Sequence, residues 1–325
     1  MLRAARTWSI QCVLPLGMLA LLALPASAED WPQWRGPNRD GVWNETGILQ
    51  TFPAEGLKIR WRAPVGIGYS SPIIAGGQVF ITDSELDKPK ARERVNAFGE
   101  KTGAHQWTCT YDVTYPEAAF DEKYRRGPIA TPIAEKGRVY TLGAAGNVVC
   151  LDTAKGEVLW QKDLMKLYPG SDIYPSPSPL IEGDVLVLLV GAKPNATVIG
   201  LNKNTGEPVW TALEEGATAS SPIVLTAAGV RQLIVWTDRS VTALNPLTGK
   251  ILWAQPLNTT QDAAVSTPVT RGSQLLIGGL MMQLAQDKPG ATVQWPPLEA
   301  TARRVFSDTS PALLGDGYVY TLRNQ

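Results

Sequence analysis

The sequence predicts an all-β propeller of four-stranded blades. Three observations predict it: an eleven-residue unit that returns along the chain, a Ser/Thr-Pro pair upstream of each unit, and almost no amphipathic helical spacing. Four short strands in a period of roughly 40–45 residues are the signature of a propeller blade.

The unit runs from Ala97 to Trp107, Cys150 to Trp160, Gly200 to Trp210 and Ala243 to Trp253. Position 1 is small, position 3 is usually Asp or Asn, position 7 is Gly and position 11 is Trp. A worn fifth copy spans Ala285 to Trp295, with Asp287 in place and Gly290 one position early. Each copy reads as two short strands joined by a tight turn. Asp152 or Asn202 can bond the backbone two residues on. Gly103, Gly156, Gly206 and Gly249 supply the positive φ that such a turn needs. Trp107, Trp160, Trp210, Trp253 and Trp295 are expected to dock one blade on the next, because an indole buries a large apolar area. The small residue at position 1 would let a neighbouring indole lie close.

The Ser/Thr-Pro pairs begin at Ser71, Thr131, Ser178, Ser221, Thr267 and Ser310, spaced 60, 47, 43, 46 and 43 residues apart. After most of them come an apolar run, a Gly-containing turn and a second run, as in Thr131 to Leu142. Those two strands and the two of the Trp unit make four. Proline suits a strand's first residue, where no ladder bond is lost.

The ends read differently. Residues 1–28 carry Arg3 and Arg6, an apolar core from Cys12 to Leu24 and Ala26-Ser27-Ala28, the pattern of a secretory signal cut near Ala28. The core is too short to span a bilayer, and Cys12 lacks the context for lipid attachment. Residues 29–60 form an N-terminal extension and 61–325 the propeller. Trp61 resembles the end of a final strand with no blade before it, and Ser310 opens a blade that stops at Gln325. Five complete blades plus partial ones result, and the chain reads as cut short.

Composition excludes some classes. Basic and acidic residues balance at 30 each, so no electrostatic case for nucleic acid exists. Cys109 and Cys150 could pair in an oxidising compartment, but Cys150 fills a position-1 slot, and both read as packing thiols. His105 is the single histidine, which leaves little material for a histidine metal site or a Ser-His-Asp triad. Asp83-Ser-Glu85-Leu-Asp87 is the densest acidic stretch and reads as a solvated loop. Ca2+ wants six to eight oxygens, and no loop concentrates them.

The unit Ala-x-Asp-x-x-Thr-Gly-x-x-x-Trp resembles the tryptophan-docking repeat of pyrroloquinoline quinone (PQQ)-like propellers. The stretch Asp30-Trp-Pro-Gln-Trp34-Arg35-Gly36-Pro37-Asn38-Arg-Asp40-Gly41 resembles the opening of secreted, planctomycete-type members. The resemblance implies seven or eight blades in full chains. It covers quinoprotein alcohol dehydrogenases and the BamB-like propellers of outer-membrane β-barrel assembly. The dehydrogenases carry adjacent cysteines and a Glu, Asn and Asp set around Ca2+. This chain has no Cys-Cys pair, and no matching carboxylate cluster can be placed.

The sequence therefore reads as a periplasmic or secreted non-catalytic scaffold, monomeric, with no membrane span. Its partners would be proteins or a small ligand at the channel mouth. The alternatives are a PQQ-dependent oxidoreductase or PQQ-binding relative, and a sugar or polysaccharide sensor. No cofactor is expected, PQQ with Ca2+ being the alternative. Mouth candidates are Tyr69, Arg126, Tyr174 and Asp308, with Arg125, Asp172 and Thr218 on the same segments. Arg126 would hold an anionic group by paired hydrogen bonds, and Tyr69 and Tyr174 would stack a planar ring.

Overall fold

The computed structural model describes residues 29–121, 126–171, 177–259, 264–295 and 310–322. Five four-stranded antiparallel sheets follow one another along the chain, each a simple meander. Blade 1 holds β1 (Ile73–Ala75), β2 (Gln78–Asp87), β3 (Lys90–Gly99) and β4 (His105–Val113). Blade 2 holds β5 (Ile133–Glu135), β6 (Arg138–Leu142), β7 (Asn147–Asp152) and β8 (Val158–Asp163). Blade 3 holds β9 (Leu180–Glu182), β10 (Val185–Ala192), β11 (Ala196–Asn202) and β12 (Pro208–Ala212). Blade 4 holds β13 (Ile223–Ala227), β14 (Val230–Trp236), β15 (Ser240–Leu244) and β16 (Ile251–Pro256). Blade 5 holds β17 (Val269–Arg271), β18 (Gln274–Ile277), β19 (Leu280–Leu284) and β20 (Ala291–Trp295). β21 (Leu313–Gly315) and β22 (Tyr318–Tyr320) form a two-stranded sheet beside blade 5. One short helix, α1 (Leu164–Leu167), follows β8.

The core lies between the sheets, not within one. Ile73, Phe80, Val95 and Trp107 of blade 1 pack on Val139, Val149 and Leu151 of blade 2. Comparable clusters join blades 2 and 3, 3 and 4, and 4 and 5. Middle strands are therefore covered on both faces, and all eight residues of β10 are buried. Fourth strands alternate: β4, β8 and β12 each bury their Trp and expose its neighbours. That pattern places first strands near the axis and fourth strands at the rim.

The Ser/Thr-Pro pairs form a belt around the axis. The backbone N–H of Ser71 donates to Thr131 Oγ1 at 3.2 Å, that of Thr131 to Ser178 Oγ at 3.0 Å, and that of Ser178 to Ser221 Oγ at 2.9 Å. The proline fixes the entry into the strand, and the hydroxyl accepts from the preceding blade. That cross-blade bond explains why Ser or Thr precedes the proline.

The repeat unit also acts between blades. The small residue at position 1 lies opposite the Trp of its own unit, as in Cys150↔Trp160 and Gly200↔Trp210, with a bulge directly after it. A Cβ on Gly200 would stand 2.4 Å from the Trp210 ring. Each docked indole lies over the position-7 glycine of the next unit: Trp61 on Gly103, Trp107 on Gly156, Trp160 on Gly206, Trp210 on Gly249. Its Nε1 donates to the position-4 carbonyl there, at Glu100, Thr153, Lys203 and Pro246. All four glycines have φ between +68° and +73°.

The expected docking series is therefore displaced by one. Trp61 is a docked indole, and Trp253 is not docked in this way: its Nε1 donates to Gln232 Oε1 in its own blade. Trp295 pairs with Met281 rather than with a residue at Ala285, and it is half exposed. The physical reason is a longer hairpin: its turn, from Ala285 to Gly290, has the same length as that from Asn245 to Lys250, but two more residue pairs separate it from the Trp pair. The N–H of Ala285 bonds Gly290 O, which sets Gly290 out of the docking position, and Gly290 has no ring against it. Asp83-Ser-Glu85-Leu-Asp87 is likewise no loop. It ends strand β2, and Asp83 and Ser84 are buried.

Candidate functional site

The first part of the N-terminal extension runs against the blades. Asp30 Oδ2 accepts from Gly76 N in the β1–β2 turn. Trp31 forms an antiparallel bridge with Ile74 of β1. Pro32 O accepts from Ala134 N of β5 at 2.8 Å. Trp34 Nε1 donates to Thr267 Oγ1 ahead of β17 at 2.9 Å. Arg39 reaches both remaining blades: Nη1 donates to Pro179 O at 2.8 Å, Nη2 to Ser178 O at 3.2 Å, and Nε to Pro222 O at 2.9 Å. Ten residues thus touch the innermost part of all five blades. They run from the β1–β2 turn at Asp30 to the Ser/Thr-Pro belt at Trp34 and Arg39.

Local chemistry explains how so short a stretch fits. Arg35, Gly36, Arg39 and Gly41 all have positive φ, from +56° to +82°. Gly36 lies under the Trp31 ring, where a Cβ would come within 2.8 Å. The N–H of Gly41 returns to Arg35 O at 2.9 Å, so the chain reverses on itself. Arg39 is almost wholly buried. Burial, with the charge of Arg35 second, pulls its pKa down to about 9, so the guanidinium stays charged at neutral pH. Its planar fork spreads donors over three nitrogens and so reaches carbonyls from two blades, which the single nitrogen of an ammonium does not span. Sequence reading missed Arg39. The signal available was the density of Trp, Pro and Gly between Trp31 and Gly41.

Beyond that belt lie the loops that lead into the first strands. Tyr69 is exposed, and its N–H donates to Pro128 O at 2.8 Å. Ser84 Oγ donates to Arg126 O at 2.9 Å. A Cβ on Gly127 would stand 2.2 Å from Ile67 O, so the two loops meet backbone to backbone. Tyr69 and Arg126 therefore sit on adjoining loops of blades 1 and 2. Tyr174 and Asp308 lie outside the described residues, as do Arg125 and Asp172. Thr218 is buried and donates to Trp236 O, so its hydroxyl is structural.

Three buried charged groups border these loops or lie between blades. Asp83 is bound bidentately by Arg94, at 2.7 and 2.8 Å, and also accepts from Gly66 N. That hydrogen bond holds the Arg94 pKa above its usual value, against a smaller effect of burial. Lys203 Nζ contacts Glu135 and Gly183 O across blades 2 and 3. Glu93 faces blade 2 with no basic partner among its hydrogen bonds. Tyr115 and Tyr111 donate to it at 2.6 and 2.9 Å, and the Ala145 N–H at 3.3 Å. Burial raises its pKa, and those donors offset part of the rise.

Other candidates are structural. Cys109 and Cys150 are both free, and burial pushes the Cys150 thiol up to about 11. His105 is exposed on β4 and bonds Thr108 Oγ1 at 2.8 Å. Among the described residues no three of His, Cys, Asp and Glu converge as metal ligands, and no helix is long and apolar enough to cross a membrane.

Known proteins share this architecture. The family described as outer membrane protein assembly factor BamB matches residues 91–323. The chain is 27% identical over 202 residues to outer membrane protein assembly factor BamB of Moranella endobia, covering 59% of this chain and 51% of that one. It is 28% identical over 148 residues to the quinoprotein alcohol dehydrogenase PedH of Pseudomonas putida, covering 42% of this chain and 24% of that one. The chain thus spans about half or less of these relatives' length. Among solved structures, quinohemoprotein alcohol dehydrogenase ADHIIG of Pseudomonas putida superposes with a TM-score of 0.59 at 13% identity, over 83% of this chain and 48% of that one. The quinohemoprotein alcohol dehydrogenase of Comamonas testosteroni gives 0.56 at 14%, over 82% and 49%. At those identities the structural likeness speaks for fold alone. The inter-blade cores, the tryptophan-on-glycine docking and the family match agree: the chain belongs to the β-propeller family described as outer membrane protein assembly factor BamB.

Proposed function

We propose that the chain is a non-catalytic binding scaffold of the periplasm or cell exterior, exported by a signal cut near Ala28, with its binding surface at the channel mouth. One observation carries this reading: the protein's own residues 31–39 lie against the inner ends of all five blades, with Arg39 hydrogen-bonded to blades 3 and 4. A ligand would therefore meet the loops beyond the Ser/Thr-Pro belt. Tyr69 and Arg126, with Tyr174 and Asp308, are the proposed contacts there, for a protein partner or a small ligand.

The fold family implies PQQ with Ca2+. PQQ is a planar carboxylate-bearing ring and its Ca2+ takes several oxygens. The axial Arg39 donates to carbonyls and to Gln33 Oε1. Asp83 is held by Arg94, and Glu93 by two tyrosines. The described residues do not compose a cradle for the pair, and no step is derived through it.

The test is reconstitution of the chain with micromolar PQQ and Ca2+. A bound-quinone absorbance band with Ca2+-dependent dye reduction would overturn the scaffold reading and establish an oxidoreductase. Support would come from a protein partner retained by the wild type in extracts of the source organism and lost by a Tyr69→Ala, Arg126→Ala double variant.

A further inference from the structure

Arg35 carries a guanidinium donor that no described residue accepts. Its Nη1 is buried and has no hydrogen-bond partner. Its Nη2 donates to Asp40 O at 2.7 Å, a neutral carbonyl of the same turn. The Asp40 carboxylate acts on Arg35 through space, while its Oδ1 accepts from the Val42 N–H at 2.9 Å.

The neighbourhood adds charge of the same sign. The reversal at Gly36 and Gly41 brings Arg39 back beside Arg35, close enough that the Arg35 charge works against that of Arg39. Arg39 is surrounded by the carbonyls of Ser178, Pro179 and Pro222 and the amide oxygen of Gln33. Two guanidinium groups thus stand near one another, and among the described residues neither hydrogen-bonds a carboxylate. A buried charged donor without an acceptor is costly, more so beside a like charge. The fork of a guanidinium matches two oxygens of a carboxylate or phosphate.

We propose that Arg35 binds an oxyanion, donating from Nη1, where residues 31–41 lie against the blades. The ligand class is a carboxylate or phosphate-type group with at least two acceptor oxygens. Nη1 itself is closed off, but Arg35 as a residue is only part-buried and Asn38, three residues on, is exposed, so solvent reaches the same turn. The anion offsets the repulsion between Arg35 and Arg39 and tightens the segment on the blades. Tyr69 and Arg126 take no part, so this site stands or falls apart from the proposed mouth surface.

The experiment titrates the full chain with inorganic phosphate and, separately, with succinate, against chloride at matched ionic strength. Saturable heat is expected by calorimetry, with a rise in melting midpoint of about 2 °C at ten times the dissociation constant. Arg35→Met should weaken binding at least tenfold, and Arg35→Lys should keep part of it. Binding of phosphate alone identifies an inorganic-type ligand, and binding of succinate as well identifies a carboxylate. If Arg35→Met does not fold, guanidinium 15N resonances of the wild type replace it, and the Arg35 signal should shift on titration. No saturable binding of either anion, an unchanged affinity in Arg35→Met, or an unmoved Arg35 signal overturns the proposal.

Discussion

The indole of Trp107 lies flat over Gly156 of the next blade. A Cβ there would stand 2.4 Å from the ring, while the indole Nε1 donates to Thr153 O at 2.8 Å. Gly156 is therefore required twice, by its φ of +71° and by the ring above it. Gly156→Ala should cost about 2–4 kcal/mol, the left-handed penalty plus overpacking. Gly229→Ala, at φ +67° with nothing within 4 Å, should cost about 1 kcal/mol. Urea midpoints compared for the two variants check the difference. Equal losses would remove the ring from the explanation.

The displaced docking series gives a second prediction. Trp160 is 9% exposed and bonded to Lys203 O, whereas Trp295 is 49% exposed. Trp160→Ala should cost about 3–5 kcal/mol, and Trp295→Ala about 1 kcal/mol. Thermal unfolding ranks the pair, and the reverse order would contradict the docking geometry.

Arg39 ties the N-terminal segment to blades 3 and 4. Arg39→Met would leave Ser178 O, Pro179 O and Pro222 O without that donor in a buried place, at a cost of about 3 kcal/mol. Arg39→Lys should recover only part, because one nitrogen cannot reach carbonyls that Nε, Nη1 and Nη2 bond from three separate positions. Hydrogen exchange gives a local readout. The amides of Ile74 and Ala134 donate to Trp31 O and Pro32 O, so both should exchange faster in Arg39→Met. Unchanged rates there would mean that the segment stays docked without Arg39.

Glu93 predicts a pH dependence. Its folded pKa is raised, chiefly by burial, so the folded state holds its proton more tightly than the unfolded chain does. Between the ordinary pKa near 4.5 and the raised value, the unfolded chain has lost the proton while the folded state keeps it. Stability from this group therefore falls as pH rises through that window, and the penalty persists above it. Glu93→Gln removes the titration. The wild type should lose stability relative to Glu93→Gln as pH rises from about 4.5, read from urea midpoints across pH. A difference that grows towards acid pH would refute the assignment.

Much of the fold was legible because it is written locally. In blades 2 to 4 the turn of each Trp unit closes within eleven residues: Asp152 Oδ1 accepts from the N–H groups of Ala154 and Lys155, and Gly156 N returns to Asp152 O. Such a turn forms from its own residues, so its sequence announces it. The fifth unit was harder to read because its strands run two pairs further from a turn of the usual length, which sets Trp295 opposite Met281. Asp83 was misread because acidic residues favour loops, and only the pairing with Arg94 makes it a strand residue.

By itself the sequence determined the repeat, the four-stranded blades and the glycine turns, since each depends on residues close in the chain. Tertiary structure alone decided what the indoles rest on and where residues 31–41 go. Those contacts join groups far apart in sequence: Trp34 with Thr267, and Arg39 with Ser178, Pro179 and Pro222. An arginine in a Gly-Pro-rich stretch reads as a solvated loop residue until the blades bring their carbonyls to one point on the axis.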